Sequence, residues 1–377
     1  MASSLISLSE VIVEKCVACP LCRQECAFLR RYGHPKEIAD RIDLADYTTL
    51  ALAYECSLCG LCGAVCPVNL EPRELFLEMR RTLVGKGIAP FPEHKVLLDY
   101  EKRGVSKRYS YYALPEKCAT IFFPGCSLPG TRPKRTLQLY NHLRSYIPGL
   151  GIVLDCCAKP SHDLGRQEFF QKVFGEMTDY LIQNGVRTIL TACPNCHRVF
   201  KEYGEGLAIK TVYEILAEQS PPARPESGGE PLVLHDPCPI RGEIPVHNAV
   251  RSLVRDQGLS LEELAHHGPK TLCCGEGGTV GLRAPELAEE WGQKRKAEAD
   301  NRRMITYCVG CSSLLGKLTP THHLLDLVFD PEVTLQGRVK SAGPPWTYWN
   351  RLKLKRQIKK TIAAPLTRER NLDLPFG

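Results

Sequence analysis

The sequence lacks any apolar run of the roughly twenty residues that a membrane-spanning helix needs. Its start, "MASSLISLSEVIVEK", has no basic n-region and no long apolar core, so it makes a poor signal peptide and the cytoplasm is the expected compartment. No G-x-G-x-x-G follows a strand-like run and no Walker lysine motif is present, so the chain shows no nucleotide fingerprint. Any flavin or nicotinamide is therefore expected on another subunit. A broad basic surface is also missing. The formal charge is +7, but between Arg338 and Gly377 ten lysines and arginines face only two acidic residues, which leaves the rest near neutral. The basic balance belongs to a tail, and nucleic acid is not an expected partner.

What is abundant is cysteine. The 377 residues include 19 cysteines, against an ordinary 43% hydrophobic and 24% charged content. In a reducing compartment, clustered cysteines hold metal or do redox chemistry more often than they cross-link.

The cysteines organise the chain. Two runs, "CVACPLCRQEC" and "CSLCGLCGAVCP", flank "HPKEIADRIDLADYTTLALAYE". There Ile38 pairs with Ile42, and Tyr47 with Leu50, Ala51 and Tyr54, at helical intervals. A further helical stretch, "PRELFLEMRRTLVGKG", ends on glycine. These features predict a small helical domain over 1–90, then a basic linker over 91–118. The remainder repeats itself. "ATIFFPGC", "IVLDCCAKP" and "VRTILTACPNC" match "PLVLHDPC", "KTLCCGEGG" and "RMITYCVGC", and "TVYEIL" is loosely echoed by "HHLLDLV". Five cysteines in one order, twice, indicate two copies of one fold. They are expected at 119–220 and 231–335, with a Pro/Gly/Ser-rich linker at 221–230 and the basic tail at 336–377. Short apolar runs alternate with helical segments in each copy, so the expected fold is a multidomain one: an α-helical domain, then two repeated α/β domains with mainly parallel sheets. Each cysteine pair is expected where a strand-like run ends and a turn follows.

C-x2-C-x2-C-x3-C occurs twice, the second time followed by Pro67. This is the spacing of cubane 4Fe–4S clusters whose fourth cysteine serves the other cluster. It assigns Cys16, Cys19, Cys22 and Cys66 to one cluster, and Cys56, Cys59, Cys62 and Cys26 to the other. Two four-cysteine zinc sites are the alternative, although zinc does not need the third, closely spaced cysteine. Ala27 stands where proline often follows such a run. The long helical insert resembles the all-helical ferredoxin domains of larger redox complexes.

The five-cysteine repeat resembles the CCG domain of heterodisulfide reductases. The second copy carries the literal Cys273-Cys274-Gly275, whereas the first has Ala158 in the glycine position. The second also has "HDPC" from His235 to Cys238, with Pro239 where histidine is frequent. With the ferredoxin motif in front, the resemblance covers about residues 1–330 and is to the fused D-type subunit of heterodisulfide reductase. The chain is also similar to the iron–sulfur subunits of glycolate oxidase, anaerobic glycerol-3-phosphate dehydrogenase and lactate-utilisation complexes. The resemblance implies one non-cubane 4Fe–4S cluster per copy, a catalytic one in this family. Its ligands would be Cys126, Cys156, Cys157, Cys193 and Cys196 in the first, and Cys238, Cys273, Cys274, Cys308 and Cys311 in the second. Gly275, Gly277 and Gly278 would let the backbone approach that cofactor. Zinc on the CxxC pairs, or plain reactive dithiols, each explain part of the repeat. Cys118 is left over as a buried structural thiol.

Lesser candidates are His235, Asp236, His162, His197 and Lys159, each either supporting a cluster or serving a structural or solvated role. The tail "WTYWNRLKLKRQIKKTIAAP" fits a helix lying on an anionic membrane surface, docked on a partner, or simply packed. The expected function is electron relay through two cubane clusters to two non-cubane clusters that reduce a disulfide, inside a multisubunit oxidoreductase. The partner would be a flavoprotein or cytochrome b, and the place the cytoplasm or the inner face of the membrane. The alternatives are an electron-relay subunit linking a flavin-dependent hydroxy-acid or glycerol-3-phosphate dehydrogenase to the quinone pool, and a zinc scaffold without iron.

Overall fold

The computed structural model describes residues 2–219 and 230–372. Most of the expected linker at 221–230, and tail residues 373–377, lie outside the described residues.

Among the described residues, everything before Tyr111 is helical or irregular. The helices Ala2–Lys15, Pro35–Asp40 and Pro72–Gly85 pack through Leu5, Ile12, Ile38, Phe76, Met79 and Leu83. Local chemistry sets their starts. Proline opens two of them, where its missing N–H costs nothing. Asp46 caps Tyr47–Ala51 by accepting from the Thr48 amide at 2.9 Å.

Two sheets follow. The first contains β1 (Tyr111–Leu114), β2 (Thr120–Phe123), β3 (Gly151–Leu154), β4 (Thr188–Thr191) and β5 (Ala208–Thr211). The second contains β6 (Leu232–His235), β7 (Leu261–Glu262), β8 (Met304–Thr306) and β9 (Thr321–His323). A late strand, β10 (Leu366–Arg368), returns to the first sheet. The orders are β10-β1-β3-β2-β4-β5 and β7-β6-β8-β9. The second sheet is wholly parallel, and the first is parallel except at its β1 and β10 edge. The inner order β3-β2-β4-β5 recurs as β7-β6-β8-β9, so the repeated motif is a repeated fold.

Two segments are more structured than their composition suggests. Residues 91–118, expected as a linker, hold the helix Lys95–Gly104 and the fully buried strand β1. Residues 336–377, expected as a tail, supply the helix Trp346–Thr361 and β10. The C-terminal helix is the one expected from "WTYWNRLKLKRQIKKTIAAP", here packed, while β1 and β10 are not marked by the composition of their segments. The helix Trp346–Thr361 turns Arg351, Leu354, Lys355 and Ile358 inward and leaves Trp346 and Trp349 more than 60% exposed. A third difference concerns Cys273–Cys274, which no strand precedes. The segment before them is fastened instead to Asp236, with the Gly268 amide donating to its carboxylate at 2.7 Å and Thr271 Oγ1 to its carbonyl at 2.8 Å.

The two α/β domains share a core. Val212 and Leu216 pack in it with Val246 and Val250. Buried Asp326 of the second domain accepts from Arg132 at 2.7 Å and Arg135 at 3.2 Å of the first. Tyr213 Oη donates to the carbonyls of Ala192 and Tyr307, one from each domain, at 2.9 and 3.0 Å.

Candidate iron–sulfur sites

The ferredoxin-type cysteines gather in two groups of four. Cys22 is pushed up to about 11 by burial and by the neighbouring Cys16, Cys19 and Cys66, and all four line one cavity. Cys62 is pushed up by burial, with Cys56, Cys59 and Cys26 around it, and these four line a second cavity. The fourth cysteine of each run thus sits with the first three of the other. Both C-x2-C loops turn through a left-handed residue at the same place, Ala18 and Leu58, each with φ near 50°. Left-handed backbone outside glycine costs on the order of 1–2 kcal/mol, and here it turns the flanking thiols to one side.

The α/β cysteines form two further groups. In the first domain Cys157 and Cys196 Sγ atoms lie 3.4 Å apart, Cys126 hydrogen-bonds Cys156, and Cys193 hydrogen-bonds Cys196. In the second, Cys274 and Cys311 lie 3.1 Å apart, Cys273 contacts Cys238 and Cys274, and Cys308 hydrogen-bonds Cys311. The paired cysteines are followed by left-handed backbone in both copies, at Ala158 (φ 55°) and Gly275 (φ 96°). Glycine is required in the second copy, because a Cβ there would stand 2.4 Å from the Ala288 carbonyl oxygen.

The buried donors around these groups fit an anionic iron–sulfur centre. Arg295 is fully buried beside Cys274 and Cys311, with its Nε and Nη2 unpaired among the described residues. Arg351 reaches the first group from the C-terminal helix, adds to the Cys156 hydrogen bond in drawing Cys126 down to about 6, and leaves Nη1 unpaired among the described residues. Unpaired buried N–H groups are costly. Cluster sulfurs would accept from them. Neither arginine stands out in the sequence, since both lie far along the chain from any cysteine run.

The lesser candidates separate. His162 is saturated by Asp163 at 3.0 Å and Tyr203 Oη at 2.8 Å. His197 faces Thr191 at 3.3 Å and Glu243 at 3.6 Å. Lys159 is paired with Asp163. Asp236 stays below its usual range despite burial, because Arg251 holds it ionised at 2.9 Å. Cys118 is buried with its Sγ on the Thr120 carbonyl at 3.3 Å. His235 is buried beside cysteines, with Cys274 the side chain that reaches its ring.

The ferredoxin part meets the second α/β domain at its cysteines. Cys273 packs against Cys59, and this neighbouring thiol draws Cys59 down to about 6. Gly277 and Gly278 also make the approach of the ferredoxin loop possible. A Cβ on Gly277 would stand 2.5 Å from the Ser57 carbonyl oxygen, and one on Gly278 2.3 Å from that of Cys56. These glycines admit the ferredoxin loop beside the cysteine pair. Across the domain pair, Cys193 and Cys308 are close enough for each to bear on Tyr213, and Cys193 on Cys308.

The 4Fe–4S dicluster domain family matches residues 12–70. The cysteine-rich domain family, CCG, matches twice, at 120–201 and 232–316. The chain is an iron–sulfur protein of the ferredoxin-plus-CCG family. Among similar proteins, the B subunit of the fumarate reductase (CoM/CoB) of Methanothermobacter marburgensis is 28% identical over 68% of this chain and 55% of its own length. The D subunit of the dihydromethanophenazine:CoB–CoM heterodisulfide reductase of Methanosarcina barkeri is 24% identical over 65% of this chain and 66% of its own. EtfAB:quinone oxidoreductase of Syntrophomonas wolfei is 24% identical over 70% of this chain and 43% of its own. The chain therefore spans 43% to 66% of the length of these relatives. No described helix is long and apolar enough to cross a membrane.

Proposed function

We propose that this chain relays electrons from its ferredoxin domain to its paired CCG sites, where a disulfide is reduced to two thiols by two electrons and two protons. The observation that carries this reading is the packing of Cys59 against Cys273, which joins the inner ferredoxin group to the second CCG group. When bound, the clusters supply electrons one at a time, and the disulfide needs two. The residues proposed to hold the cubane pair are Cys16, Cys19, Cys22 and Cys66, then Cys56, Cys59, Cys62 and Cys26. Those proposed to hold the non-cubane pair are Cys126, Cys156, Cys157, Cys193 and Cys196, then Cys238, Cys273, Cys274, Cys308 and Cys311. Arg295 and Arg351 offset the negative charge of the two CCG sites. Cys193 and Cys308, near enough to bear on one another across the domain pair, would place the two CCG sites within reach of one disulfide.

Anaerobically prepared chain is expected to carry about sixteen irons, four per cluster, and to release thiol from a heterodisulfide under reduced viologen. Fewer than about eight irons would sink the four-cluster arrangement, and full loading without thiol release would sink the disulfide step. In the latter case, quinone reduction with a copurified flavoprotein becomes the readout for a relay role.

We further infer that the outer face of the helix Trp346–Thr361 rests on an anionic membrane surface, on or beside a cytochrome b or flavoprotein partner. At 100° per residue, Trp346, Trp349, Lys353, Arg356 and Lys360 fall within an arc of about 80°, all exposed. Aromatic rings with cations suit the headgroup region. Sedimentation with phosphatidylglycerol vesicles is expected at low salt and should fail for W346A/W349A. Equal binding by that variant would remove the inference.

A further inference from the structure

The two CCG sites differ at one buried position. Phe123 ends β2, three residues before Cys126, and His235 ends β6, three residues before Cys238. The repeat makes these positions equivalent. Phe123 is fully buried and meets Phe200 edge-on, with ring centroids 5.0 Å apart, so an apolar side chain satisfies the first site. His235 is equally buried, and among the described residues the side chain that reaches its ring as an acceptor is Cys274. A ring nitrogen, Cys274 Sγ and Cys311 Sγ lie within 4.8 Å of one another. The other groups bearing on the imidazole are Arg295, which accepts nothing, and Asp236. Asp236 is already engaged by Arg251, Gly268 and Tyr307. The acceptors left for His235 are the two sulfurs, and the imidazole carries at least one N–H in either protonation state.

We propose that His235 hydrogen-bonds the sulfur pair of the second CCG site and sets its reduction potential above that of the first, making the two sites unequal. This rests on the reading of both cysteine groups as cluster ligands. A hydrogen bond to a cluster sulfur stabilises the more negative, reduced state and so raises the potential. The site in contact with the ferredoxin domain then takes its electron first and holds it while the other site waits. Unequal sites keep the two one-electron steps in order.

Potentiometric titration of the intact, iron-loaded chain, followed by electron paramagnetic resonance, tests the proposal. Wild type is expected to show two CCG midpoints. His235→Phe, which copies the first site, should lower the higher midpoint by about tenfold in reduction constant, or 59 mV for one electron. His235→Gln, which keeps an N–H donor, should stay near wild type. Phe123→His serves as the converse variant, expected to raise the lower midpoint, and it keeps the test alive if His235→Phe does not load iron. Full iron with unchanged midpoints in both His235→Phe and Phe123→His would overturn the proposal while leaving the ligand sets intact. A wild-type chain without CCG iron would instead overturn the ligand reading, and this proposal with it.

Discussion

Replacing Arg80 by alanine is expected to destabilise the chain by about 3–5 kcal/mol and to loosen the ferredoxin domain from both CCG domains. Arg80 lies on the helix Pro72–Gly85 and is fully buried. Its guanidinium donates to the carbonyls of Ala53 at 3.1 and 2.8 Å, Cys56 at 2.7 Å, Asp163 at 2.6 Å and Gly278 at 2.8 Å. Those acceptors come from the ferredoxin domain, the first CCG domain and the second. Its face also lies over Tyr54, at 4.8 Å from the ring centre. Burial alone pulls the guanidinium down from its usual range, and no carboxylate binds it directly; four carbonyl dipoles hold the charge. Alanine would leave those carbonyls buried and unsatisfied, at about 1–3 kcal/mol each before relaxation. Lysine should rescue little, because three donors on one nitrogen cannot span a planar fork. Thermal inactivation and amide exchange across residues 53–59 and 275–280 would measure the effect. A loss below about 1 kcal/mol would show that the three domains are held by other contacts.

Arg80 also marks the boundary of what the sequence can say. The eighteen clustered cysteines were legible because each group has fixed local spacing, and the repeat was legible because five cysteines recur in order. Strand alternation was enough to predict two parallel sheets. What joins the parts was not legible. In "EMRRTLVGKG", Arg80 looks like any solvated cation on a helix, and only its burial reveals four acceptors from three domains. The strand β10 lies more than 250 residues from its partner β1, so no local pattern links them. Basic residues left the C-terminal helix open between a membrane, a partner and packing on this chain; Lys355, buried on the Lys107 carbonyl at 2.6 Å, and Arg351, turned toward Cys126, show that its inner face is packed. The glycines after Cys274 carried a correct signal for close approach, but a motif cannot name the surface being approached.

Those glycines give the other large effect. Gly278→Ala is expected to cut electron delivery from the ferredoxin domain to the second CCG site while leaving the ferredoxin clusters reducible. Two costs coincide at this position. Its φ of 61° is left-handed, worth on the order of 1–2 kcal/mol against alanine. The added Cβ would stand 2.3 Å from the Cys56 carbonyl oxygen and 2.7 Å from the Ser57 carbonyl carbon, both backbone, so no side-chain rotation relieves the clash. Overpacking of this kind typically adds about 1–3 kcal/mol. The loop Cys56–Cys59 must therefore retreat, and Cys59 moves with it away from Cys273. Gly277→Ala should act in the same direction through Ser57, without the left-handed cost. Gly281→Ala is the control three residues on: its Cβ would meet only Ala288 Cβ at 3.7 Å, an ordinary contact, and its stability and electron transfer should match wild type. Stopped-flow reduction, reading ferredoxin and CCG clusters separately, distinguishes the outcomes. Slow CCG reduction with normal iron content is the expected result for Gly278→Ala. Wild-type rates at both centres would mean that the Cys59–Cys273 contact is not the route the electrons take.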